Sequence, residues 1–147
     1  MTEEGSINKA EIRTLIPHSG TMCLLDEVTQ WDDRSITCIT NTHRDPANPL
    51  RRDERLSAVH AFEYGAQAAA VHGGLRARSM GKIAPPGYLA ALRDARLYVV
   101  FLDDIRSPLQ VCANRLFGDG ANTVYECRVL ADNALLANGR VTIIQRA

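Results

Sequence analysis

The sequence predicts an α+β fold in which an antiparallel sheet packs against one long helix. Three observations point there. Residues 56–75, "LSAVHAFEYGAQAAAVHGGL", are crowded with alanine and poor in β-branched residues. The remaining apolar runs are rich in Val, Ile, Thr and aromatic residues and are bounded by turn residues, as strands are. Their order is two strands, the helix, then about four strands, with no internal repeat and no low-complexity linker. A chain of 147 residues fits one domain, residues 1–147, because a chain near this length buries roughly 68–70% of its unfolded surface.

Each element has a local reason. Asn8 stands three residues before Glu11, as in a capping box, and Ile12, Leu15 and Ile16 follow at helical spacing until Pro17 ends the pattern. "MCLLDEVTQW" (22–31) and "SITCITNTH" (35–43) read as strands joined by a turn at Asp32-Asp33. The polar, proline-bearing "RDPANPLRRDER" (44–55) reads as a loop. The long helix is expected over 56–75, ended by Gly73-Gly74. Strands are then expected over 88–104, 109–118, 123–132 and 134–145, separated by signals such as Gly118-Asp119-Gly120 and Asp132-Asn133.

Composition narrows the function classes. Lys plus Arg and Asp plus Glu both number 17, a formal net charge of +0, so nothing global draws the chain to nucleic acid or anionic lipid. The four cysteines, Cys23, Cys38, Cys112 and Cys127, form no C-x-x-C pair and sit in apolar runs, where they read as reduced core residues. The opening "MTEEGSINKAE" has no apolar h-region, and no apolar run reaches membrane-span length, so a cytoplasmic protein without a membrane span is expected.

One stripe breaks the apolar helix. His60, Glu63 and Gln67 follow at steps of three and four, with Tyr64 beside them and Leu56, Val59 and Ala70 adjacent. Glutamate is seldom buried unless paired or functional, and a carboxyl group among apolar neighbours suits proton transfer. Taken alone, Glu63 also fits an ion pair with an arginine at a wet edge. Pro17 restricts its own φ and pushes Ile16 toward an extended shape, so His18 arrives as an aimed side chain as readily as an ordinary turn histidine. His60 and Glu63 share one helix side. An acid and a base working on neighbouring carbons should come from separate segments, a need His18 meets.

Those residues resemble the hotdog-fold 3-hydroxyacyl-thioester dehydratases of fatty acid and polyketide synthesis. "IPHSGTMCLLDEV" (16–28) is similar to that family's Pro-His turn and following strand, "FEYGAQAAA" (62–70) to its Glu-and-Gln helix motif, and "PPGYLAALRDARL" (85–97) to its long strand after the helix. The resemblance implies a sheet wrapped around one central helix, a dimer paired through its sheets, and sites at the dimer interface built from both subunits. It implies His18 and Glu63 as the catalytic pair, Gln67 as a supporting substrate-site residue, and no metal or organic cofactor. The chemistry asks for those types: an imidazole takes the α-proton, a carboxylic acid protonates the departing hydroxyl, and backbone N–H donors stabilise the thioester oxygen. Donors at a buried helix N-terminus are expected near Leu56 and Ser57, with His60 adjacent. Where the family has a Pro-Gly pair leading into its helix, this chain has "RRDERLSAV", a variant closer to the smaller dehydratases of aryl polyene pathways.

The resemblance also implies partners. These are an acyl carrier protein with its phosphopantetheine-linked chain, and a second subunit, either identical or related; Arg51, Arg52 and Arg55 just before the helix and Arg76, Arg78 and Lys82 just after it read either as a solvated face or as a basic rim that steers the carrier protein. Two other functions fit the same residues: a thioesterase in which Glu63 activates water, and a non-catalytic acyl-binding subunit completing a partner's site. A metal at His60-x-x-Glu63 lacks a nearby third ligand in the sequence. His43 and His72 read as a strand-end and a helix-end residue near carbonyl groups.

Overall fold

A computed structural model describes residues 6–16, 20–119 and 121–145. The chain forms β1 (Ile7–Asn8), α1 (Lys9–Leu15), β2 (Glu27–Trp31), β3 (Ser35–Thr40), α2 (Ala61–Ser79), β4 (Gly87–Leu97), β5 (Leu109–Asp119), β6 (Asn122–Ala131) and β7 (Ala134–Gln145), with 3-10 turns at Gly20–Met22, Thr42–Arg44 and Ala58–His60. The strands make a 7-stranded sheet in the order β1-β2-β3-β5-β6-β7-β4, every pairing antiparallel. The sheet encloses α2, whose residues from Ala61 to Leu75 are buried on nearly every side, as a helix of small residues allows.

Local chemistry accounts for the boundaries. The Asn8 side chain accepts the Glu11 N–H at 3.0 Å and starts α1 where the capping box places it. Asp32 accepts the N–H groups of Arg34 and Ser35, both at 2.8 Å, and closes the β2–β3 hairpin. Asp132 and Asn133 turn between β6 and β7 with φ of 49° and 65°, the left-handed pair a two-residue hairpin needs. At β5–β6 the register runs unshifted from Gln110↔Leu130 to Arg115↔Tyr125, placing Val111, Ala113, Cys127 and Val129 inward.

Several expected boundaries move. The helix does not end at Gly73-Gly74 but continues to Ser79 and stops before Gly81, whose φ is +70°. Gly74 serves packing instead: a Cβ there would meet Leu15 Cδ2 at 3.1 Å, so its absence lets α1 lie against α2. Its start is later than expected too, since residues 58–60 form a 3-10 turn. The expected strand over 22–31 pairs only from Glu27, the one over 35–43 ends at Thr40, and the one over 88–104 ends at Leu97.

Cys23, Cys38 and Cys127 are buried and Cys112 is half-buried, all with free thiols. Burial pushes the Cys127 thiol up to about 12, which leaves it unreactive near neutrality. His72 is not at a helix end but in mid-helix and fully buried. Its Nε2–H donates to the Asp32 carbonyl at 2.7 Å, which makes Nδ1 the acceptor of the Tyr125 hydroxyl, also at 2.7 Å. His43 is likewise buried, with Nε2 donating to the Ile105 carbonyl at 2.9 Å.

Two outcomes are expected from this packing. A Cβ on Gly65 would stand 2.8 Å from Cys127 Cβ, so Gly65→Ala should lose about 1–3 kcal/mol in urea unfolding. Burial pushes the His72 and His43 imidazoles below their ordinary value of 6.5, more than their carbonyl partners restore. The unfolded chain therefore takes up protons first as pH falls, so stability is full above that value and is lost below it. Urea midpoints should drop between about pH 7.5 and about pH 5.5, and His72→Gln should shrink the difference.

Candidate active site

The candidate residues come from two segments: the start of α2, and the sequence from Pro17 to β2. His18 lies outside the described residues, as do Pro17 and Ser19. The residues from Met22 to Asp26 are closely held. Cys23, Leu24 and Leu25 are buried yet outside the sheet, so their backbone groups must find other partners. Side chains supply them. Lys9 Nζ donates to the carbonyls of Cys23 and Leu25, both at 2.9 Å, and to Asp26 Oδ1 at 3.0 Å, using all three of its protons. The hydroxyls of Thr40 and Thr42 each donate to the Leu24 carbonyl at 2.6 Å.

Gln67 closes this arrangement from the helix. Its side chain is 1% exposed; Oε1 accepts the Leu24 N–H at 2.9 Å and Nε2 donates to the Met22 carbonyl at 2.7 Å. Tyr64, one turn earlier, adds a relay: Asn48 Nδ2 donates to its hydroxyl at 3.1 Å, and the hydroxyl reaches Thr42 Oγ1 at 2.8 Å. Burial pushes the Asp26 carboxyl up, but the Asn41 N–H, Lys9 ammonium and Thr40 hydroxyl together hold it below the usual carboxylate value. The segment from Met22 to Asp26 is thus fixed to the same helix that carries Glu63.

Glu63 is half-buried in the first turn of α2 and makes no ion pair among the described residues. It lines a groove of about 220 Å³ with Ala66, Gln67 and Ala70 on the helix and Gly87, Tyr88 and Leu89 on β4. His60 precedes it by one turn. Burial pushes the His60 imidazole down, the Arg52 charge pushes the same way, and Glu63 opposes both. Among the described residues no group of three His, Cys, Asp or Glu side chains gathers where a metal ion could be held.

The expected oxygen-binding end of the helix is more selective than the sequence suggested. Leu56 is corrected as a donor, because its N–H is taken by Asp103 Oδ1 at 2.9 Å and its carbonyl by the Leu102 N–H at 2.8 Å. Ala58 N–H donates to the Val100 carbonyl at 2.9 Å, and Val59 N–H to Ser57 Oγ at 3.3 Å. Ser57 is bridged to Phe101 between those two flanking bonds, so its N–H faces away from the bridge and makes no hydrogen bond with the described residues. The donor that remains at this helix end is Ser57.

The basic rim is corrected in the same way. Asp103 Oδ2 holds Arg55 Nε at 2.8 Å and stands 3.9 Å from Arg51, while Arg55 also pairs with Asp104 at 2.8 Å and stacks 3.8 Å above the Phe101 ring. Arg51 spends its remaining donors on the carbonyls of His43, Asp45 and Glu54. Arg76 pairs with Asp33 at 3.1 Å and Arg78 stands 3.9 Å from Glu11. Arg52 and Lys82 are exposed and make no ion pair among the described residues. Sequence reading missed Asp103 and Lys9 because each acts on partners more than a dozen residues away, with no periodic pattern to mark it.

A family model described as the ApeP dehydratase matches residues 10–147. The chain belongs to the ApeP-like dehydratase family. Among solved structures, the dehydratase heterocomplex ApeI:P from Xenorhabdus doucetiae is similar at 26% identity and a TM-score of 0.82, over 92% of this chain and 91% of that one. AziG from S. sahachiroi matches at 12% identity and a TM-score of 0.61, over 89% of this chain and 97% of that one. A mutant thioesterase from Pseudomonas aeruginosa matches at 12% identity and a TM-score of 0.58, over 81% of each chain. The last two likenesses concern the fold alone, the hotdog fold of a sheet around one helix. No curated protein matches the sequence. No described helix of this ApeP-like protein is long and apolar enough to cross a membrane.

Gln67→Ala leaves the buried Leu24 N–H and Met22 carbonyl without partners, so it should lose about 1–3 kcal/mol in urea unfolding. Amide exchange at Leu24 should accelerate well beyond that at the centre of β6. Unchanged exchange there would mean that the Gln67 amide does not hold the segment.

Proposed function

We propose that this protein eliminates water from a 3-hydroxyacyl thioester to give the trans-2-enoyl thioester, within polyene or fatty acid biosynthesis. The observation that carries the reading is Glu63 on the wall of an otherwise apolar and amide-lined groove, one turn before Gln67, in a chain of a dehydratase family. His18, four residues before Met22 in sequence, takes the proton from C2. Glu63 gives a proton to the hydroxyl on C3; the C–O bond breaks, the C2=C3 bond forms, and water leaves. The Ser57 N–H supports the thioester oxygen as charge moves onto it. Product release leaves a protonated imidazole and a carboxylate, reset by proton exchange.

A second subunit completes the assembly. Among the described residues β4 pairs only with β7, which leaves its other edge without a strand partner, and it carries exposed Tyr88 and Leu92, followed by Tyr98 and Val100 at 52% and 73% exposure. An unpaired edge beside apolar side chains is a template for another chain's strand. The solved structure at 26% identity is titled a heterocomplex, which favours a related subunit over a second copy. It also supports a second reading, in which this chain is acyl-binding and the partner catalytic. The substrate would arrive on an acyl carrier protein, steered by the exposed charges of Arg52 and Lys82.

Incubation with a 3-hydroxyacyl carrier-protein thioester, alone and with the partner subunit, should give a product lighter by one water in mass spectrometry. Each of His18→Ala and Glu63→Gln should lower the rate by about 10²–10⁴-fold without changing Tm. Free acid and free thiol as products would instead indicate a thioesterase. Full activity of both variants in the complex would assign the chemistry to the partner.

A further inference from the structure

Three recesses lie end to end along one side of α2. The groove at Glu63 is followed by a constriction of about 20 Å³, and that by a second groove of about 270 Å³. Ala70 and Gly87 line both of the first two, and Leu15 and Ala84 line both of the last two, so the three recesses adjoin in series along the helix. The far groove ends at Arg78 and Lys82. The narrow middle is walled on the helix by Ala69, Ala70 and Gly73.

Glycine at 73 is the unexplained residue of this path. A glycine inside a helix is less stable than alanine there, so it needs a reason. Gly65 has one, with Cys127 Cβ at 2.8 Å from its would-be Cβ, and Gly74 has one in Leu15 at 3.1 Å. At Gly73 a Cβ would meet only Gln145 Nε2, at an ordinary 3.6 Å, and the backbone is ordinary helix. Nothing in the packing of the described residues requires the missing side chain. The space it leaves opens into the constriction instead.

We propose that Gly73, which lines the constriction together with Gly87, is the gate that sets how far an acyl chain can extend beyond Glu63, and that its lack of a side chain admits chains long enough to enter the second groove. This rests on the acyl-thioester reading above. A short 3-hydroxyacyl chain ends in the first groove and does not meet the gate. A long, extended one must pass it.

The test compares 3-hydroxybutyryl and 3-hydroxydodecanoyl thioesters with wild type, Gly73→Ala and Gly73→Leu, in the complex if the activity requires a partner. Gly73→Leu should lower kcat/KM for the dodecanoyl substrate by about tenfold or more while leaving the butyryl substrate within about twofold. Gly73→Ala should shift the same ratio less and keep or raise Tm, which controls for folding. An unchanged long-to-short ratio in both variants, or an equal loss on both substrates, would overturn the gate. Calorimetric binding of dodecyl and butyl pantetheine thioethers reads the gate without turnover. The dodecyl compound should bind about tenfold more weakly to Gly73→Leu, and equal binding would overturn the proposal. Wild type inactive on every chain length, with that binding difference intact, would instead overturn the dehydration reading alone.

Discussion

A buried stretch of chain without a sheet partner is the constraint on which this structure turns. Residues 23–25 are buried outside any strand, and leaving their peptide groups unpaired would cost several hydrogen bonds in a low-dielectric interior. Lys9 from α1, Thr40 at the end of β3, Thr42 just beyond it, and Gln67 from α2 answer that need together. Three elements distant in sequence are thereby referred to one short segment. The proposed catalytic histidine, His18, precedes this segment by only a few residues in sequence. Gln67 is a positioning residue in this account, acting through Met22 and Leu24.

The helix supplies the other half. Alanine and glycine along α2 let the sheet close around it, and enclosure lets a few polar side chains be placed with little freedom. Asp103 does comparable work at the helix entrance, where its carboxylate takes the Leu56 N–H and gathers Arg51 and Arg55. Burial pushes this carboxyl up, and the Leu56 N–H and Arg55 outweigh it to hold the group below the usual range. Charges that look available to a partner in the sequence are therefore part of the scaffold.

Much of the architecture is legible from residue pattern. The capping box at Asn8, the alanine-rich helix and the strand at Ala134–Gln145 follow from local propensity and appear where expected. Helix ends are less legible because glycine has two uses: Gly73-Gly74 reads as a stop, yet Gly74 is a contact with α1 and the helix runs on to Ser79. Residues 22–26 look like a strand because burial and extension are what strand sequences encode, whereas pairing depends on which neighbours are in reach. Of the site, Glu63 and Gln67 stand out as polar residues on an apolar helix. Lys9 and Asp103 do not, since long-range bonds leave no spacing to read, and Leu56 looked like a donor only because its acceptor was invisible.

The central claim is that an imidazole from the Pro17-His18 turn and the carboxyl of Glu63 act together on one substrate. A crystal structure of the assembled protein with a stable 3-hydroxyacyl thioether analogue tests it most directly. The account predicts His18 within reach of C2 and Glu63 hydrogen-bonded to the C3 hydroxyl of the same molecule, in the groove between α2 and β4. An analogue bound with either side chain turned away from those atoms in every subunit pairing would contradict it.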